Sequence, residues 1–146
     1  YAVLDDRKDF ALVRLDPGVE ADPAMAHFGG PIGVNDDLTQ DPVVLHWYGQ
    51  SPVGVVVPAR TGVAPNMPNP DHVYFVAPGG PGDSGSGVIS DDGRAVGVLV
   101  TGGVHIGDNA GGLPEFGDIG ITRISPQMER AAEMLGTGLE LVTVGQ

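Results

Sequence analysis

The stretch GGPGDSGSG, residues 79–87, decides the fold of this chain. Five glycines and one proline in nine residues exclude a helix or the interior of a regular strand. An apolar run at residues 72–77 leads into the stretch, and a second at residues 87–90 leads out of it, which predicts a tight loop between two strands. A loop of this kind presents the Ser84 hydroxyl and turns neighbouring amide N–H groups toward a developing oxyanion. The stretch therefore has the parts that acyl-transfer chemistry needs.

The composition of the chain favours a single all-β domain. Its 146 residues suffice for one core, and the 24 glycines and 13 prolines recur at short intervals, as in proteins built from short strands and turns. Strands are predicted at residues 43–49, 53–60, 72–77, 87–90, 94–101 and 118–124, and a glycine-rich loop at residues 102–117. A closing helix is also predicted, with Ser125 as its N-cap, Gly136 as its end, and an apolar stripe of Met128, Ala131, Ala132 and Leu135.

Charge and residue usage exclude several kinds of partner. The chain has 19 acidic and 7 basic residues, a formal net charge of −12, so nucleic acid is not an expected partner. No apolar run approaches the ~18 residues of a membrane span, and the absence of cysteine excludes disulfides and thiolate metal sites. Residues 35–37 and 91–93 are acidic, but their spacing predicts turns rather than calcium sites, and no metal or cofactor is predicted.

Another strand is predicted near the start of the chain, at residues 9–15, with Asp9 at its entrance. Apolar residues fall on both parities of this stretch, which predicts burial on both faces. A segment rich in Asp, Pro and Gly follows. The predicted organisation is a separate strand region at residues 1–17, a linker at residues 18–42 and a barrel at residues 43–146.

Two motifs together resemble the chymotrypsin-like (trypsin-fold) serine proteases. Residues 9–15, DFALVRL, resemble that family's aspartate and the strand after it, and residues 82–86, GDSGS, resemble its nucleophile motif in a form common among bacterial members. Asp9 and Ser84 lie 75 residues apart, in a family ordered His, Asp, Ser. The resemblance covers nearly the whole chain. It implies that residues 43–146 form the second barrel of the family, a six-stranded antiparallel Greek-key barrel with a C-terminal helix.

The resemblance implies a role for each motif residue. Ser84 would attack a peptide carbonyl, and the N–H groups of Gly82 and Ser84 would form the oxyanion hole. Asp9 would orient the catalytic imidazole, and Asp83 would brace the loop through a buried ionic partner that the sequence does not identify. The implied activity is that of a serine endopeptidase acting on polypeptides without a cofactor, in a secreted or extracytoplasmic bacterial enzyme.

The histidine that this family needs is missing before Asp9. The four histidines of the chain all follow Asp9, and each is predicted to be an ordinary solvated or strand-face residue: His27, His46, His72 and His105. Without an imidazole the chain alone should be close to inert as a protease.

Two interpretations of the missing histidine stay open. In the first, the chain is the C-terminal part of a longer protease, and a first barrel that is absent here supplies the histidine. Apolar surface near Phe10, Leu12 and the residues around Ser84 would then be exposed. In the second, the chain is a noncatalytic binding or scaffold module.

The resemblance also places a substrate pocket beside Ser84. By the family's spacing, the base of the pocket lies six residues before the serine, and the lining residues are Pro78, Gly79, Val100, Thr101 and Gly102. No carboxylate is among them. We therefore expect an uncharged side chain before the scissile bond rather than a trypsin-like preference for Lys or Arg.

Overall fold

The chain folds into a closed six-stranded antiparallel barrel followed by a C-terminal helix. A computed structural model describes residues 2–5, 9–39, 42–51, 57–65, 70–77, 79–105 and 115–145. The elements are β1 (Ala2–Asp5), β2 (Phe10–Leu12), β3 (Val43–Tyr48), β4 (Ala59–Ala64), β5 (His72–Val76), β6 (Gly87–Ser90), β7 (Ala95–His105), β8 (Glu115–Arg123) and α1 (Ile124–Leu135). The barrel closes in the order β3-β4-β5-β8-β7-β6, with antiparallel neighbours throughout. Because β5 pairs with β8 and β6 returns to β3, the topology is a Greek key, and the predicted fold class is confirmed.

Alternating side chains of the strands fill the barrel. In β3, Val43, Leu45 and Trp47 point inward and are buried, as the two-residue period of a strand requires. The Trp47 and Phe75 rings meet edge to face with their centroids 5.3 Å apart. The buried cluster consists of Val43, Leu45, Trp47, Ala64, Val73, Phe75, Ala77, Val88, Val96, Leu99, Ile119 and Ile121. The larger aliphatic and aromatic side chains of this cluster each contribute about 1.5–3 kcal/mol when fully buried, which makes the cluster the main source of stability.

The predicted bounds of three barrel strands differ from the observed bounds of β4, β7 and β8. The second strand was expected at residues 53–60, but β4 begins at Ala59, directly after Pro58; residues 52–56 lie outside the described part. Proline has no N–H for the sheet, so pairing with β3 begins after it. The loop expected at residues 102–117 is shorter, because β7 and β8 continue pairing as far as His105 and Glu115. Two register shifts along this ladder accommodate the glycine-rich sequence.

The helix α1 starts earlier than expected, and its predicted apolar stripe is buried only in part. Its N-cap is Arg123 rather than Ser125, without a capping hydrogen bond from the side chain. The C-cap is Gly136, as predicted, in the left-handed conformation with φ of 64°. The buried residues of the helix are Gln127 and Ala131, whereas Leu135 of the expected stripe is 48% exposed. Within the described ranges, no helix is long and apolar enough to cross a membrane.

The two strands near the start of the chain form a separate antiparallel pair. β1 and β2 pair in the register Ala2↔Leu12 and Val3↔Ala11. The strand predicted at residues 9–15 ends at Leu12, and its expected burial on both faces is wrong. Phe10 is buried, but Val13 is 67% and Leu15 50% exposed. Apolar side chains are thus exposed just after β2, whereas Phe10 itself is covered. Other exposed large hydrophobic residues lie elsewhere on the chain, among them Val63 and Val76 on β4 and β5.

Candidate active-site loop

The loop at residues 79–87 consists of two successive turns joined to β7. The Asp83 N–H donates to the Gly80 carbonyl at 3.1 Å, and the Ser86 N–H donates to the Asp83 carbonyl at 3.1 Å. Gly82 and Gly85 have φ of 101° and 89°, backbone conformations that favour glycine. Beyond the second turn, the Gly85 N–H donates to the Leu99 carbonyl at 2.8 Å. The glycines of the motif therefore allow a bend that hydrogen bonds then fix to the barrel.

Ser84 lies at the exposed turn between these hydrogen bonds. Its side chain is exposed, and its hydroxyl makes no hydrogen bond with another described residue. Nor do the backbone N–H groups of Gly82 and Ser84 bond to any described group. No described residue therefore blocks a ligand from bonding to the Ser84 hydroxyl or to the N–H groups of Gly82 and Ser84. Their roles as nucleophile and oxyanion hole stay predictions.

Asp83, directly before Ser84, points inward and is fully buried against Arg60. Arg60 Nη1 donates to Asp83 Oδ2 at 2.6 Å, and Arg60 Nη2 donates to Oδ1. Both side chains are at most 1% exposed, so the two charges form a bidentate pair inside the barrel. Arg60 is thus the buried ionic partner that the sequence analysis expected for Asp83 but did not identify.

The barrel places Arg60 under the loop through the pairing of β3 with β4. Trp47 and Arg60 are direct partners in this register, and both side chains are buried. The Arg60 guanidinium carbon lies 5.4 Å from the centroid of the Trp47 ring, within the range of a cation–π interaction. Gly49, just beyond β3, has no side chain at the position where a Cβ would overlap Arg60 Nη2 and Asp83 Oδ1. The ion pair therefore depends on a glycine at residue 49.

Two backbone donors and the Ser51 hydroxyl complete the surroundings of the Asp83 carboxylate. The Ser51 N–H donates to Oδ1 and the Gly80 N–H to Oδ2, each at 3.0 Å. Burial alone raises the pKa of Asp83, but the hydrogen bonds from Arg60, Ser51 and Gly80 outweigh it and hold the pKa below its ordinary value. Asp83 is therefore an anion at neutral pH, and four protein groups are arranged around that charge.

The lowered pKa of Asp83 predicts a loss of stability in acid. Because the folded chain holds this pKa below the unfolded value of about 3.9, the stabilisation is complete above that value. It is lost as the pH falls from about 3.9 through the folded pKa, where Asp83 takes up a proton. Urea unfolding at a series of pH values from 7 to 3 measures this dependence. The Asp83→Asn variant should show a shallower fall than the wild type.

A surface carboxylate provides the control for this titration. The pKa of Asp37 is also lowered, by hydrogen bonds from the Thr39 hydroxyl at 2.5 Å and the Thr39 N–H at 3.0 Å. Asp37 is exposed, so solvent screens its contribution. Asp37→Asn should therefore change the pH dependence much less than Asp83→Asn. Equal effects of the two variants would contradict the buried-pair interpretation.

Asp9, the predicted orienting carboxylate, lies in a turn before β2. It is exposed and has a φ of 48°, and no hydrogen bond or ion pair joins it to a described residue. The structure thus gives Asp9 no bonded contact with the Ser84 loop or with a described histidine. Its catalytic role stays a prediction.

The histidine side chains that the structure describes have other neighbours. His46 lies on the outer face of β3, with Nδ1 2.8 Å from Thr61 Oγ1 and Nε2 3.1 Å from Asp91 Oδ1. His27 is exposed and meets Phe28 edge to face, and His72 stacks on Tyr74. Only the backbone of His105 is described. None of the three described imidazoles bonds to Ser84, in agreement with their predicted role as ordinary surface residues.

The predicted pocket residues are described in part. Pro78 lies outside the described residues, Gly79 is half-buried, and a Cβ on Gly79 would overlap the Ile119 side chain. Val100 is half-buried and follows Leu99, whose N–H donates to the Ser86 carbonyl at 2.9 Å. Thr101 and Gly102 continue β7 and pair with Gly120 and Ile119. Thr101 and Gly102 thus follow closely after Leu99, the residue of β7 to which the loop at residues 79–87 is hydrogen-bonded.

One cavity formed by described residues lies away from Ser84. It has a volume of about 630 Å³, and it is lined by Val34, Asn35, Asp36, Asp37, Pro42, Val43, Val44, Ser90, Asp91, Asp92 and Arg94. None of these belongs to residues 79–87. In the described part of the chain, no group of three or more potential metal ligands is close enough to hold an ion.

The sequence analysis missed three residues that brace the loop: Gly49, Ser51 and Arg60. A signal for one of them was present. A buried aspartate needs a buried cation, and Arg60 follows a long apolar run, unlike arginines in polar stretches such as Arg94. Gly49 and Ser51 act because the chain just after β3 passes close to Asp83. Nothing in the sequence indicated this approach, in contrast to the signal at Arg60.

Comparison with known proteins adds no relative. No family model matches the chain, and no curated protein matches it. The functional assignment therefore depends on the fold and on the loop.

Proposed function

We propose that this chain is the second barrel of a chymotrypsin-like serine endopeptidase, with Ser84 as its nucleophile. The observation that carries the proposal is the loop itself. Asp83 is anchored to Arg60 inside the barrel, while the next residue, Ser84, is exposed with its hydroxyl and N–H open to a ligand. A turn that serves only to connect β5 and β6 has no need of a buried, bidentate ion pair beneath its one exposed serine.

The proposed reaction is acyl transfer from a peptide bond. Ser84 Oγ adds to the carbonyl carbon as an imidazole removes its proton, and the oxyanion is bound by the N–H groups of Gly82 and Ser84. The C–N bond then breaks as the imidazolium returns its proton to the leaving amine. Water hydrolyses the acyl-enzyme by the same steps in reverse. Each oxyanion donor contributes about 3–4 kcal/mol of barrier lowering in comparable enzymes.

The imidazole in this proposal comes from a first barrel outside the 146 residues. Its support is that the three described histidine side chains face Thr61, Phe28 and Tyr74 rather than Ser84. The exposed Val13 and Leu15, which follow the isolated pair β1–β2, fit a surface that a further barrel covers. Asp9, before β2, would orient that histidine. The resemblance that suggests this arrangement also suggests a secreted enzyme.

The substrate class follows from the small residues beside Ser84. Gly79 and Val100 offer no charge to a side chain bound before the scissile bond. We therefore expect cleavage after uncharged residues, and little cleavage after Lys or Arg.

A noncatalytic binding module is the second candidate function. The observation that favours it is that Ser84 has no general base among the described residues, and without one its hydroxyl is a weak nucleophile. In this case the exposed loop would contact a partner without chemistry.

Labelling with a fluorophosphonate separates the two functions. The longer protein should be labelled at Ser84, whereas the Ser84→Ala variant should not be labelled at all. Ser86→Ala is the matched control, since it removes a neighbouring hydroxyl from the same loop and should retain labelling. If the folded protein shows no labelling that depends on Ser84, the enzyme proposal is wrong and the binding module is favoured.

A further inference from the structure

Ser51, just beyond β3, contacts both Arg60 and Asp83, the buried ion pair beneath the loop at residues 79–87. It is fully buried, and its N–H donates to Asp83 Oδ1 at 3.0 Å. Its hydroxyl oxygen accepts a hydrogen bond from Arg60 Nη1 at 3.1 Å. The hydroxyl also hydrogen-bonds the Asp83 carboxylate and helps to keep the pKa of Asp83 low. One short side chain thus bonds to both members of the ion pair.

The Ser51 side chain fills a specific place in the hydrogen bonding of Arg60. Nη1 carries two hydrogens, of which one goes to Asp83 Oδ2 at 2.6 Å and the other to Ser51 Oγ at 3.1 Å. The serine hydroxyl therefore fixes the plane of the guanidinium as well as its distance from the carboxylate.

Ser51 also packs against the turn that precedes the nucleophile. A Cβ added to Gly82 would lie 3.2 Å from Ser51 Cα, and one added to Gly80 would lie 3.8 Å from Ser51 Cβ. The turn at residues 80–82 therefore lies directly beside residue 51, and a side chain at Gly82 would be crowded against it. Gly82 carries one of the two N–H groups of the proposed oxyanion hole.

We propose that Ser51 is a positioning residue for the nucleophile loop. By bonding to Arg60 and Asp83 and by supporting the turn at residues 80–82, it sets the direction of the Gly82 N–H and of Ser84. Ser51 is not placed to touch a substrate, because it is fully buried. The catalytic part of this inference rests on the proposed function, whereas its structural part can be measured without activity.

Trp47 provides the structural measurement. It is the only tryptophan of the chain, and the Arg60 guanidinium lies 5.4 Å from its ring. A change in the ion pair should therefore alter the tryptophan fluorescence. An acid titration followed by fluorescence, with circular dichroism to monitor the fold, reports on the protonation of Asp83 in this chain.

The test compares Ser51→Ala with Ser90→Ala. Removal of the Ser51 hydroxyl should raise the midpoint of the fluorescence titration by about 1–2 pH units, the size expected for the loss of one hydrogen bond to a charged group. In the longer protein, fluorophosphonate labelling of Ser84 should slow about 5–10-fold. Ser90 is also buried, with a hydroxyl bonded to Asp92 at 2.5 Å, but it lies in β6 away from the ion pair. Its variant should leave the midpoint and the labelling rate unchanged.

The titration midpoint and the labelling rate distinguish a failure of this inference from a failure of the proposed function. A shifted midpoint in a protein that labels nowhere would retain the positioning of Asp83 by Ser51 and reject the proposed function. Normal labelling and an unshifted midpoint in Ser51→Ala would overturn the inference. Ser51→Cys keeps the shape of the side chain, with a larger atom that is a weaker donor and acceptor, and it should shift the midpoint in the same direction. If neither variant folds, Ser51 serves the fold rather than the loop, and the inference is also wrong.

Discussion

Replacing Arg60 with methionine is expected to lower the free energy of unfolding by about 3–5 kcal/mol, because it leaves the Asp83 carboxylate buried without its cation. Arg60 and Asp83 are at most 1% exposed, so water cannot replace the lost partner in the folded chain. Urea unfolding at neutral pH, followed by circular dichroism, measures the loss. A double variant, Arg60→Met with Asp83→Leu, should recover part of it, since the unpaired charge is then removed.

The matched control for this variant is Arg94→Met. Arg94 Nε lies 3.3 Å from Asp92 Oδ2, but the side chains are 55% and 57% exposed. Exposed pairs of this kind contribute about 0–1 kcal/mol. Equal losses in the Arg60 and Arg94 variants would show that the buried pair has no special importance.

Replacing Gly49 with alanine is expected to have the second large effect. The new Cβ would overlap Arg60 Nη2 and Asp83 Oδ1, so it must push the ion pair apart or displace the end of β3. Overpacking alone costs about 1–3 kcal/mol, and separation of the pair adds to it, so we expect a loss of at least about 3 kcal/mol. The urea midpoint of Gly49→Ala measures this loss.

Gly138→Ala makes the same chemical change in open space. No atom lies within 4 Å of a Cβ at residue 138, and its backbone is not in the left-handed region. This variant should change the stability by less than about 1 kcal/mol, and a small gain is possible because alanine restricts the unfolded chain. If Gly49→Ala is as mild as this control, the close approach of residue 49 to the ion pair is not required.

The barrel was predictable because local signals marked most of its strands. The alternation of Val43, Leu45 and Trp47 places one face inward, and the turn at residues 91–93 joins β6 to β7. The errors occurred where the pairing with neighbours decides the outcome. β7 and β8 extend through glycines because each supplies the other's hydrogen bonds, and a single sequence does not show that ladder.

The exposed half of the candidate site was predictable, and the buried half was not. Ser84, Asp83 and their glycines form one short motif, so the loop could be expected from the sequence. The buried partner of Asp83 was implied only by the resemblance to the chymotrypsin-like proteases. Arg60 lies 23 residues before Asp83, and it reaches the carboxylate only through the β3–β4 register. That register is a property of the closed barrel. For this reason a buried ionic partner of Asp83 could be anticipated, but the sequence did not show that this partner is Arg60.

The rate of fluorophosphonate labelling in Arg60→Lys tests most directly whether the buried pair prepares Ser84 for reaction. Lysine keeps the charge but lacks the planar fork that bonds both oxygens of Asp83, so the fold should survive while the loop loses its alignment. In the longer protein that the proposed function implies, we predict that the label maps to Ser84 in both forms and that the variant reacts at least about 10-fold more slowly, the loss of roughly one charge-assisted hydrogen bond. An unchanged rate in the folded variant, or a label on a residue other than Ser84, would contradict this prediction.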